Sequence, residues 1–189
     1  MEMFRAREST PGLMWLAVMA GAALLTAAPC YGDDEAPREY SVKAAFIYNF
    51  TQFIDWPADA FAAGDSPFVV AVVGQNPFGA ALDRAMANKT VGKHPIVVKY
   101  FATANDLGTC QLLFVSASLD KQLGEIFAKK TGKAVLNVGE SDEFMRAGGV
   151  IRLFLEEDHV KFEIAPDVCE AARLKVSAKL MKLARIYKK

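Results

Sequence analysis

The strongest constraint on this chain is a set of short, largely apolar runs, too brief for most helices. Residues 67–73 read PFVVAVV, residues 110–116 read CQLLFVS, and residues 96–101 and 134–138 are of the same kind. A strand with apolar residues on both sides belongs in a sheet covered on both faces. Helical segments separate the runs, at residues 78–87, 119–130 and 142–147. This alternation predicts an α/β fold: a single-domain α/β sandwich whose mixed, largely parallel sheet is flanked by helices.

The flanking segments complete the expected topology. Residues 40–55 predict a helix, with Val42, Ala45, Phe46, Asn49, Phe50 and Phe53 as its apolar stripe, Ser41 as cap and Trp56-Pro57 as stop. Pro77 is expected to open the helix at 78–87. Residues 150–155 and 160–164 read as a C-terminal hairpin around Glu156, Glu157, Asp158 and His159. From Pro166 to about Tyr187 the pattern predicts one long terminal helix with a basic face.

The N-terminus is different material. Arg5 and Arg7 precede an unbroken apolar or small-residue run, LMWLAVMAGAALLTAA, followed by the acidic Asp33, Asp34 and Glu35. This is the pattern of a Sec-type signal peptide over residues 1–32, cleaved to leave an exported domain at 33–189. The run is short for a membrane span, which needs about 20 apolar residues.

The whole chain is 52% hydrophobic and carries 22 basic and 22 acidic residues. The signal segment holds two of each sign, so the exported domain stays neutral. Neutrality speaks against a nucleic-acid partner, which calls for a basic surface. No pairing of nucleophile and base is readable, and His94 and His159 stand far apart in sequence. The expectation is therefore no catalytic residues, no metal and no cofactor.

Three features remain as candidate sites. Excess apolar surface on the first helix and its exit, at Tyr48, Trp56 and Pro57, suggests a partner-binding or dimer surface. The turn after the first strand, with Gly74, Gln75, Asn76 and Phe78, is a candidate pocket rim at a sheet end. It lacks the spacing of a phosphate-binding loop, but a small-ligand-binding sensor domain is the alternative function it offers. Cys110 and Cys169 could close a loop of roughly 60 residues, worth about 3–4 kcal/mol, and spacing leaves their pairing open.

Taken in order, several segments resemble the YfiR-like family of periplasmic proteins. They are YSVKAAFIYNFTQFIDWP, FVVAVVGQNPFG, CQLLFVS, AVLNVGE and GGVIRLFLEEDHVKFEIAPDVCEAARLKVSAKLMKLA. The resemblance implies an exported, non-catalytic regulator that forms homodimers. It implies binding to the periplasmic part of an inner-membrane diguanylate cyclase, which is held inactive, with lower cyclic-di-GMP output and less biofilm. An outer-membrane lipoprotein that sequesters the regulator is a further implied partner. In such proteins a first-strand Cys often bridges to the Cys opening the CQLLFVS-type strand. Here Ala71 stands in a first strand without Cys, which leaves Cys110 without that partner unless Cys169 replaces it.

Overall fold

The computed structural model describes residues 38–62, 64–130 and 132–188. The expected signal peptide lies outside them. The first helix, α1 (Arg38–Phe53), buries Lys43, Ala44, Ile47, Phe50 and Thr51. The predicted stripe is thus half right: Phe46, Phe50 and Phe53 pack in the core, but Val42, Ala45 and Asn49 face solvent. The cause is Lys43, a charge that local pattern places outside and that tertiary ion pairing brings inside. The chain leaves α1 through β1 (Ile54–Asp55) and a 3-10 turn at Ala58–Ala60.

The sheet then builds up from β2 (Phe68–Val73), buried at every position. α2 (Ala81–Met86), β3 (Thr90–Val91) and β4 (His94–Phe101) follow. Pro77 does not open α2, correcting the expected helix start. Asn76 Oδ1 instead accepts the Phe78 N–H at 2.9 Å and Gly79 has φ +51°, so a turn occupies the place of the first helical turn. After β5 (Leu112–Val115), a 3-10 segment at Ala117–Gln122 leads into α3 (Leu123–Ala128). Then come β6 (Leu136–Gly139), α4 (Asp142–Arg146), β7 (Ile151–Glu156) and β8 (His159–Ile164).

The strand order is β8-β7-β6-β5-β2-β4-β3. β4, β2, β5, β6 and β7 run parallel, whereas β8 returns antiparallel on β7. Glu157 and Asp158 form the two-residue link of this hairpin, with φ +51° and +59°. Both signs match a turn whose twist suits paired strands. The two faces of β2 explain its composition. Val70 and Val72 pack with Phe50, Leu112 and Phe114 on the α1 side. Val69, Ala71 and Val73 pack with Leu123, Ile126 and Phe144 on the other.

The long terminal helix is corrected. Residues 166–186 form α5 (Pro166–Ala171), β9 (Lys175–Val176), α6 (Ala178–Leu183) and β10 (Arg185–Ile186). α5 stops because the Leu174 N–H bonds to Cys169 O at 3.0 Å and the Arg173 N–H to Glu170 O at 2.8 Å. That is a Schellman ending with Arg173 in the left-handed region at φ +61°. β9 then pairs antiparallel with β1. Ser177 caps α6 by accepting the Leu180 N–H at 3.2 Å, and β10 adds to the sheet parallel to β8.

Candidate functional site

The exit of α1 is tied down on its inner side. The Trp56 indole N–H donates to Gln111 O at 3.1 Å, and its ring meets Phe68 edge-on with centroids 4.8 Å apart. The Gln111 side chain donates to Ala60 O at 2.6 Å and accepts from the Val69 N–H at 2.8 Å. Trp56 is therefore a fastener between α1 and the amino ends of β2 and β5, with Pro57 half-buried beside it. Tyr48 is half-buried a helical turn and more upstream, with the Lys89 ammonium 5.4 Å from its ring centre. Trp56 also lines a cavity of ≈ 430 Å³ with Phe61, Lys93 and His94. The His94 ring stacks on Phe61 at 3.8 Å and its Nδ1 lies 2.7 Å from Ser66 O. His159 is engaged elsewhere, with Nδ1 2.6 Å from Glu157 O.

The turn at residues 74–78 uses its polar groups internally. Ser118 Oγ accepts the Gln75 N–H at 3.1 Å and donates to Ser116 Oγ at the same distance. Gly74 has φ +92°, and a Cβ there would stand 2.7 Å from Ser118 Oγ. The glycine is needed for both conformation and space. Gln75 and Asn76 are exposed, whereas Phe78 is fully buried against Phe114, centroids 4.7 Å apart, and Tyr40.

Cys110 and Cys169 are separate buried thiols. They belong to different core clusters, Cys169 on the α1 side and Cys110 on the other. Burial raises both pKa values, that of Cys169 to about 12. The neighbouring Lys130 opposes the rise at Cys110 without cancelling it.

A second surface emerges from the assembled fold. Val42 on α1, Leu155 on β7 and Leu183 at the end of α6 are 39%, 47% and 72% exposed. Two adjoining grooves share Val160. One, ≈ 610 Å³, is lined by Arg38, Val42, Leu155 and His159. The other, ≈ 310 Å³, is lined by Phe46, Phe154, Phe162 and Leu183. Glu156 at the rim holds both Lys161 and Arg185, which lowers the Glu156 pKa. The sequence offered no signal for this face, because its members come from four separate elements, α1, β7, β8 and α6.

Ion pairs brace the region behind it. Lys43, 4% exposed, is held by Glu39 and by Glu140 at the end of β6. Arg152 on β7 meets Asp142 at the start of α4, and across the hairpin its Nε lies 2.8 Å from Glu163 Oε1. Among the described residues no group of three His, Cys, Asp or Glu side chains converges as a metal site would need. No helix among them is long and apolar enough to cross a membrane.

The family model for YfiR/HmsC-like proteins matches residues 40–185. The chain belongs to the YfiR/HmsC-like family. That family comprises periplasmic regulators of diguanylate cyclases, and its members are regulatory rather than catalytic. No curated protein matches the chain. Among solved structures, a conserved domain protein from Vibrio cholerae O1 biovar El Tor is similar at 10% identity and a TM-score of 0.46. The similarity covers 64% of this chain and 54% of that one, so the chain spans about half the length of that structure.

Within this YfiR/HmsC-like domain, β2 carries no cysteine to meet Cys110, and Ala71 is fully buried between neighbouring strands.

Proposed function

We propose that this chain is a periplasmic regulatory protein that binds the periplasmic part of an inner-membrane diguanylate cyclase and inhibits it. The outcome is lower cyclic-di-GMP signalling and less biofilm. The family match across residues 40–185 is the observation that carries this reading. Residues 1–32 act as the signal peptide that exports the domain. A second copy of the chain and an outer-membrane lipoprotein are further partners in the same reading.

An exported domain cannot reach a cytoplasmic active site. It acts by binding one conformation of the membrane enzyme better than another. Moving such an equilibrium from 1:99 to 99:1 takes roughly 10⁴-fold preference, about 5.5 kcal/mol. A standard interface of about 800 Å² per partner is large enough for this when a few apolar anchors are buried at its centre. Val42, Leu155 and Leu183 are such anchors, and the half-exposed Tyr48, Trp56 and Pro57 offer a second contact region.

The test is deletion of the gene with cyclic-di-GMP measured in the cells, followed by affinity capture from solubilised membranes. The expected results are raised cyclic-di-GMP and a co-purifying cyclase. Unchanged cyclic-di-GMP would sink the reading.

A further inference from the structure

At the amino-terminal edge of β5 and β6, opposite the end that carries Gly74, lies a cleft of ≈ 240 Å³. Its wall includes Lys130, Lys133, Arg173, Thr109, Cys110 and a single carboxylate, Asp59. Three cations against one anion leave the cleft with an excess of two positive charges.

Lys130 is the decisive residue. It is 7% exposed, and its Nζ donates to Gly108 O at 2.9 Å. Among the described residues no carboxylate lies within ion-pair distance of Lys130 or Lys133. Burial keeps the adjacent Cys110 thiol protonated, so the sulfur supplies no counter-charge. A buried ammonium without an anion is unfavourable, and an anion entering the cleft relieves that penalty.

Arg173 is presented to the cleft by the ending of α5, where the hydrogen-bonded cap fixes its backbone. Its guanidinium meets Asp59 at 2.7 Å, but the two side chains are 51% and 61% exposed. Such an exposed pair is weak, so a better-placed anion can replace Asp59. The guanidinium fork and the ammonium groups together match the oxygens of a phosphate or carboxylate.

We propose that this cleft is a binding site for a small oxyanion, a phosphate or a carboxylate group, held by Lys130, Lys133 and Arg173. The site stands independently of the regulatory reading above.

The test is calorimetric titration of the purified protein with sodium phosphate and, separately, sodium succinate, against sodium chloride at matched ionic strength. Saturable binding of either anion is expected. Phosphate alone identifies a phosphate-type ligand, succinate alone a carboxylate, and binding of both marks the shared chemistry. Lys133→Ala, at an exposed position, should weaken affinity roughly tenfold by removing one charge-assisted contact. Arg173→Asn should do the same while tolerating the left-handed backbone. Lys130→Met should abolish binding. Absence of saturable binding with both anions, or an affinity in the Lys133→Ala and Arg173→Asn variants equal to that of the unmodified protein, overturns the proposal.

Discussion

Lys43 on α1 is paired with Glu140 at the end of β6, 97 residues further along the chain, and both side chains are largely buried. This pair fastens the first helix to the carboxyl edge of the sheet. Removing one partner leaves the other charge buried and unpaired, which typically costs about 3–5 kcal/mol. Glu39 remains beside Lys43 and softens the loss. Glu140→Gln should therefore destabilise the domain by about 2–3 kcal/mol in denaturant unfolding. A change below about 0.5 kcal/mol, as at an ordinary surface site, would contradict this account.

Alkaline pH should destabilise the domain. Burial is the largest influence on each group concerned. It raises the pKa of Cys110, Tyr40 and Tyr100, and takes Cys169 from 9.0 to about 12. At Lys43 burial opposes the charge, but hydrogen bonds to Glu140 and Glu39 outweigh it and raise that pKa also. A folded-state pKa above the unfolded value means that the native state holds its proton more tightly. The associated stability is complete below the unfolded pKa and disappears as pH rises towards the folded one. The window opens near pH 9.0, the ordinary thiol value, and continues through the tyrosine and lysine range. Melting temperatures from pH 7 to 11 should be level at first and then fall; a level profile throughout would refute the assignment.

Phe144 sets a packing test. Its ring lies against Gly139, where an added Cβ would meet Cδ2 at 2.5 Å, and closer still against Gly149. Both glycines are required for space. Gly149→Ala should cost about 1–3 kcal/mol through overpacking. Phe144→Ala should cost about 3–5 kcal/mol through loss of a buried ring. Unfolding of Gly149→Ala combined with Phe144→Leu should show partial rescue, since the smaller side chain vacates the contact.

The legible part of this fold was the part with a one-residue-at-a-time signature. β2 and β5 could be read because every position is apolar and both faces are covered, and β6 because only Asn137 interrupts a buried apolar run. The buried face of α1 could be read only in part, because burial of Lys43 depends on Glu140. The terminal segment departs from the helical pattern for a similar reason. Residues 166–187 are good helix formers, and Arg173 gives no sign of adopting a left-handed backbone. The pairing of β9 with β1 decides the break, although Ser177 was a local cap signal that could have suggested it. The candidate surfaces divide likewise. Trp56 could be found as an aromatic at a helix stop, but its half-buried setting and its bond to Gln111 O could not. The face containing Val42, Leu155 and Leu183 exists only once α1, β7 and α6 are brought together.

The thiols provide a chemical test. Cys110 and Cys169 are free and almost inaccessible, at 3% and 1% exposure. Without denaturant and without reductant, both should resist alkylation. In denaturant, still without reductant, peptide mapping should recover each as a separate alkylated peptide. A linked Cys110–Cys169 peptide would overturn the free-thiol assignment. Reductant should accordingly leave the melting temperature of the domain unchanged.

Leu183 and Leu155 distinguish a recognition role from a structural one. Both side chains are substantially exposed, so a charge placed there leaves the core intact. Leu183→Glu and Leu155→Glu should each change folding stability by no more than about 0.5 kcal/mol, as is usual at the surface. If this face buries its apolar anchors against the cyclase, each substitution places an unpaired carboxylate in a desolvated contact. Binding should then weaken by at least roughly tenfold, with the larger loss in the double variant. The measurement is affinity for the solubilised cyclase, together with cyclic-di-GMP in cells carrying each variant. Normal folding with reduced binding and raised cyclic-di-GMP places the contact on this face. Normal binding by the double variant assigns it elsewhere, and the same measurement on Tyr48→Ala then tests the second contact region on α1.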